Sequence, residues 1–414
     1  MNKIVGKYFA LTVSVLAMLL LNACGSASGG PDVDSLPPLE SSAPITAADD
    51  NEHIKTSNME LYNETLDNGL CIIIQDNGEM ILSGADVEEN LKNYSALKDY
   101  LDNVTHIKFE NGVTRIGDKC FSGYDKVQHI TFCDGVEEIG YNSFTGCTAL
   151  TEIDFGDSLR KIGDYAFNGC TALKDIMLGT GVKEIGQYAF SDCTAIKSAT
   201  FLNGVDSMGY NIFNGCTALV SIRTGSSIAD SAFCGIETLE SVVVQPTCKN
   251  IGSRAFSGCT KLKNVDIQDG VEIVGEYAFN GCTALTHIQI PSSVKEIGAS
   301  AFSSCTAMTS VDIAEGGEMV IGNSSFFGCT AITKMILPEG VTEIGEKAFS
   351  GCKAIETMVM PKTLKKIGYS AFYENQAVRT FAYRGTSSEW HKIDFAKEWS
   401  LGASKSTPKY EYKN

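Results

Sequence analysis

The chain has 414 residues, 43% of them hydrophobic and 20% charged, with a formal net charge of -17. This is the composition of a folded protein. The acidic excess argues against nucleic acid, whose phosphates need Lys and Arg to displace counterions, and against direct adsorption to anionic lipid. Its simplest meaning is solubility for an exposed protein.

Lys3 and Lys7 form a short positive region, and Tyr8 to Leu21 is then almost wholly apolar. That run is shorter than the roughly 20 helical residues needed to cross a bilayer core of ~30 Å. Residues 1–23 therefore read as a signal peptide. Leu21-Asn22-Ala23-Cys24 follows and resembles the bacterial lipobox, although Asn22 is a less usual residue at its position. The resemblance implies that Cys24 carries lipid, so that the only membrane contact is the anchor; the alternative is ordinary cleavage beside an incidental cysteine. Residues 24–57 are rich in Ser, Gly, Pro, Ala and Asp and read as a disordered tether. Within residues 58–110 the apolar stretch from Leu70 to Ala85 contains Asp76-Asn77-Gly78, a hairpin turn signal.

From residue 111 to 383 the chain repeats. The Ile116-Gly117 position returns at Ile139, Ile162, Ile185, Met208, Ile228, Ile251, Val274, Ile297, Ile321, Ile344 and Ile367. The spacing is 23 residues, with one interval of 20 (Met208 to Ile228) and one of 24 (Ile297 to Ile321). Five residues after every anchor stands Phe, from Phe121 to Phe372. The unit closes on an alternating stretch such as Leu150, Ile153 and Phe155, which predicts a strand with one buried face. The segment before it, such as residues 163–172, predicts a turn or two of helix or a 3₁₀ piece. One unit cannot bury its own face, so the units must stack. The fold class is thus an α/β repeat, a solenoid of about twelve coils with a parallel sheet on one face, at ~4.8 Å per coil. The short interval predicts a local irregularity through which the stack continues.

The pattern G-V-x-x-I-G-x-x-A-F-x-G-C-x-x-L resembles the BspA-type leucine-rich repeat of bacterial and some protist surface proteins, over residues 111–383. The flanks resemble that family too: Leu70 to Ala85 its two-strand N-terminal cap, and residues 384–414, with Gly385-Thr386 and Trp390, its closing segment. The resemblance implies surface recognition or adhesion in the cell envelope, with an extracellular or host macromolecule as partner and no catalysis.

Nine of the fifteen cysteines (Cys147, Cys170, Cys193, Cys216, Cys259, Cys282, Cys305, Cys329 and Cys352) share one phase of the repeat. Stacked coils put them in a column of parallel Cβ vectors at ~4.8 Å, poorly placed for disulfides and for a tetrahedral metal site. They read as small buried thiols. Cys71, Cys120, Cys133, Cys234 and Cys248 are off-register, and Cys120 and Cys133 could approach each other. The five histidines are scattered. No H-E-x-x-H, G-x-S-x-G or P-loop occurs, so neither an enzyme nor a cofactor beyond the N-terminal lipid is expected.

A partner would meet the outward residues of the strands. One column runs His129, Glu152, Asp175 and onward to Thr380; the next runs Thr131, Asp154, Met177, Thr200, Arg223, Val243, Asp266, Gln289, Asp312, Ile336, Val359 and Ala382. Most are small and polar and lack an aromatic platform, which favours a protein partner over a glycan. Ile336, Val359 and Ala382 form an apolar strip that is either a partner site or covered by the C-terminal segment. Two other functions stay open: a glycan-capture accessory lipoprotein, and a structural envelope spacer.

Overall fold

In the alternating stretches every second side chain must leave water, and the computed structural model shows the resulting strands. It describes residues 58–201, 205–400 and 408–412. The signal peptide, Cys24 and the tether lie outside the described residues.

Thirteen strands of three or four residues, from His106–Phe109 to Thr380–Tyr383, each supply one coil. They pair in parallel at the repeat spacing, for example His129 with Glu152 and Thr200 with Arg223. A second ladder of two- to four-residue strands, from Arg115–Ile116 to Asp394–Phe395, carries the Ile anchors. Their side chains are fully buried, as at Ile162 and Ile297, while the preceding residues (Glu138, Lys161, Glu184) lie on the surface side of the same strands.

The expected helical turns are absent, and the fold is a β-solenoid of about 13 turns with little helix. The reason is local. Tyr165 has φ of 55° and Gly169 of 73°, left-handed values that break a helix at once. The freed N–H groups turn to the next coil instead: Tyr165 donates to Gln187 O at 3.0 Å, Phe167 to Ala189 O at 2.8 Å and Gly169 to Ser191 O at 2.8 Å. This makes a third inter-coil ladder, and it satisfies the backbone of what would otherwise be a buried loop.

The Phe residues stack at 5.2 Å between Phe144 and Phe167 and 5.3 Å between Phe279 and Phe302, with rings within 4° of parallel in both pairs. Beside them runs the thiol column. All fourteen described cysteines are free. Each column thiol donates to the carbonyl of the Phe one coil back, as Cys170 does to Phe144 O at 3.3 Å and Cys329 to Phe302 O at 3.1 Å. Off-register Cys120 is buried and donates to Val87 O at 3.1 Å. Burial holds the Cys259 and Cys329 thiols up at about 12.

The stack continues through the short coil, but one ladder breaks there. Ser221–Thr224 still pairs with Ser241–Val244, whereas Ile228 bridges forward to Ile251 and is not paired back to Met208. The Phe213 and Phe233 rings stand 6.2 Å apart, the widest step of the column, and Ile236 fills the cysteine slot.

Both ends are closed. The expected hairpin forms from Cys71–Gln75 and Glu79–Ser83, and a third strand, Glu60–Thr65, adds to it. Glu79–Ser83 then pairs in parallel with His106–Phe109, so the cap extends the long ladder. At the other end Ser387–Trp390 is a helical turn whose Thr386 and Glu389 form a capping box. Trp399 sets its edge against Phe372 at 6.1 Å and 85°, ending the Phe column.

Candidate recognition surfaces

The outward rows of the long ladder stand where alternation puts them. Asp154, Met177, Asp266, Gln289 and Asp312 are exposed, Met177 to 68%. Arg223, Val243 and Ile336 are half-buried in the same face. In-register pairing sets Thr200 beside Arg223, Arg223 beside Val243, Val243 beside Asp266 and Gln289 beside Asp312.

Val359 needs correction. It is fully buried, as is Ala382, so the apolar strip is not an open site. Residues 408–412 return to this end of the sheet: Lys409 pairs with Ala382 and takes and gives hydrogen bonds at Phe381 and Tyr383. Ile336, one strand earlier, keeps partial exposure.

The polar side chains of this face pair with one another across coils. His106 lies 3.4 Å from Glu79 and its Nε2 is 2.9 Å from Thr131 Oγ1. His129 lies 3.5 Å from Glu152, and His287 Nδ1 is 2.8 Å from Ser310 Oγ. Desolvation lowers the His106 pKa, against the upward pull of Glu79. The contacts are those of a polar surface that can exchange partners at little cost.

A second surface lies beside the short ladder and was missed in the sequence. Glu138, Lys161 and Glu184 from the short strands and Asp118, Tyr141 and Asp164 from the turns line a groove of about 260 Å³, with Gly140, Gly163 and Gly186 between the two rows. These glycines are forced by close approach: a Cβ on Gly186 would come within 2.3 Å of the Asp164 backbone nitrogen. Tyr141 begins a file of four rings. Tyr165 and Tyr188 stack at 4.9 Å and 11°, while Tyr141 and Tyr210 flank them at 80° and 81°. The available signal was a Tyr two or three residues after four successive anchors. Because the position alternates, no single column showed it.

Among the described residues no helix is long and apolar enough to cross a membrane, and no group of three or more His, Cys, Asp or Glu is placed to hold a metal ion.

The BspA type leucine rich repeat region model matches residues 94–220, 226–320 and 318–401. Among solved structures the chain is similar to a leucine rich cell surface protein from Faecalibacterium prausnitzii, with 25% identity, 80% of this chain and 97% of that one covered, and a TM-score of 0.38. It is similar in fold to a leucine-rich repeat protein from Bacteroides ovatus, with 22% identity, 83% and 90% covered, and a TM-score of 0.50. No curated protein matches.

Proposed function

Because the chain belongs to the BspA-type leucine-rich repeat family, we propose that it is a non-catalytic recognition module of the cell surface. It holds an extracellular or host macromolecule, a protein in preference to a glycan, against the outward face of its long ladder. The observation that carries this reading is the exposed run of that face, where Asp154, Met177, Asp266, Gln289 and Asp312 stand in register from coil to coil. Carboxylates, an amide and one adaptable thioether suit a wet protein contact. The face offers no ring on which a sugar could stack. Lipid on Cys24 would anchor the module, and two acyl chains suffice for stable attachment.

The test displays the full chain on cells and measures capture of purified extracellular-matrix proteins. Asp154→Lys with Asp312→Lys should abolish capture without lowering surface display, and Cys24→Ala should abolish incorporation of a clickable fatty acid. Capture that is absent against every protein, or indifferent to the double variant, would refute the reading of the face; persistent labelling of Cys24→Ala would refute the anchor.

A further inference from the structure

The groove beside the short ladder is a separate surface, and its chemistry is one-sided. Four carboxylates line it (Asp118, Glu138, Asp164 and Glu184) against the single ammonium of Lys161. Lys161 is divided between two of them, 3.7 Å from Glu138 and 3.7 Å from Glu184. Anionic charge therefore remains beside an aromatic file whose end members, Tyr141 and Tyr210, are 42% and 48% exposed. Both end rings are turned nearly perpendicular to the central stack. Their faces thus point across the file, in directions where Tyr165 and Tyr188 show edges.

The fold itself shows what sits on such rings. Lys119 lies over Tyr141 at 5.7 Å, Arg254 over Tyr277 at 5.2 Å and Lys347 over Tyr369 at 5.9 Å, each cation reaching from one coil to the ring of the next. At the position of Lys119, Arg254 and Lys347 the coils between Tyr141 and Tyr210 carry Asn142, Tyr165 and Tyr188. The solenoid supplies rings and carboxylates over this stretch and leaves the cations to be brought from outside.

We propose that this groove docks an extended segment of a partner protein bearing Lys or, better, Arg. Arg suits it best because a guanidinium can stack on a tyrosine face while donating two parallel hydrogen bonds to a carboxylate. Tyr141 and Tyr210 lie three coils apart, about 14 Å at ~4.8 Å per coil, which is the reach of four residues of extended chain at ~3.4 Å each. The groove therefore selects cations spaced as Arg-x-x-x-Arg.

The experiment titrates the full chain with a labelled, end-blocked Arg-Ser-Ser-Ser-Arg peptide. Its Gln-for-Arg analogue and a neutral linear glucan serve as competing probes. Tyr141→Gln with Tyr210→Gln should weaken binding about 10-fold, as expected for losing two exposed cation–π contacts. The same turn position holds Gln187 in a neighbouring coil, so this variant keeps the fold, which its thermal melt verifies. Glu138→Gln with Glu184→Gln should weaken binding similarly and flatten its salt dependence. Met177→Ala, on the long ladder, and Glu276→Gln, outside the groove, should leave it unchanged. Failure of the Arg peptide to saturate would overturn the proposal. So would an equal loss with Glu276→Gln, which would mean diffuse attraction to an acidic chain, or preference for the glucan. None of these outcomes bears on the face proposed for macromolecule capture.

Discussion

The Phe column should be the main internal support of the stack, and Phe279 is the place to test it. Its side chain is fully buried, and its ring lies 5.2 Å from Phe256 and 5.3 Å from Phe302, inclined by 10° and 3°. Leucine at this position keeps most of the apolar area but removes both ring contacts. At ~0.5–1.5 kcal/mol for each aromatic pair, Phe279→Leu should cost about 1–3 kcal/mol. Phe279→Ala adds the lost transfer energy and a cavity and should cost about 3–5 kcal/mol. Phe213 is the internal reference, because one of its two steps is stretched to 6.2 Å; Phe213→Leu should cost less than Phe279→Leu. Urea denaturation followed by far-UV circular dichroism measures the differences. Amide exchange of the neighbouring coils shows whether the loss stays local, as nearest-neighbour stacking demands. If leucine at 279 costs under about 0.5 kcal/mol, or no more than leucine at 213, the rings are fillers and stacking does not hold the coils.

Three further outcomes follow from the same packing. Brief alkylation of the native chain at pH 8 should modify the half-buried Cys71, Cys133 and Cys234 before any of the nine column thiols, since thiols held up at about 12 such as Cys259 and Cys329 present almost no thiolate; peptide mapping reads the order. Val359→Asp should destabilise by more than about 3 kcal/mol because it buries an unpaired charge, while Met177→Asp, on an exposed site, should stay within about 0.5 kcal/mol; paired urea curves compare them. Burial pushes the Asp86 carboxyl up, but the Thr114 and Arg115 N–H groups, at 2.7 and 2.8 Å, outweigh it and the net shift is downward. Its stabilising effect is therefore present above the unfolded value near 3.9 and lost as the pH falls through the folded one, so the Tm gap between wild type and Asp86→Asn should close on acidification from about pH 5.

How much was legible in the sequence depended on what each residue must satisfy. Ile162, Phe167 and Cys170 face the same residue types in the coils on either side, so a fixed period exposes them and places them inside. The turn segment misled because its apolar spacing also fits a helix. The deciding facts were backbone ones, φ of 55° at Tyr165 and 54° at Asn142, and Tyr is a poor advertisement for a left-handed residue. Val359 misled for a different reason. Its outward phase was right, but residues 408–412, some fifty positions later in the chain, return to the strand beside it, and repeat logic sees only neighbouring coils. The tyrosine file escaped because its members alternate between two turn positions, which stacking aligns and a column of letters does not. These cases share a cause. Periodicity records demands that every coil makes on its neighbours and so locates the scaffold; binding chemistry sits where those demands lapse. Tyr141, Tyr165, Tyr188 and Tyr210 break the consensus side by side without disturbing the Phe stack beneath them. A departure that clusters in adjacent coils while the core stays regular is evidence that the surface there was shaped by something other than folding.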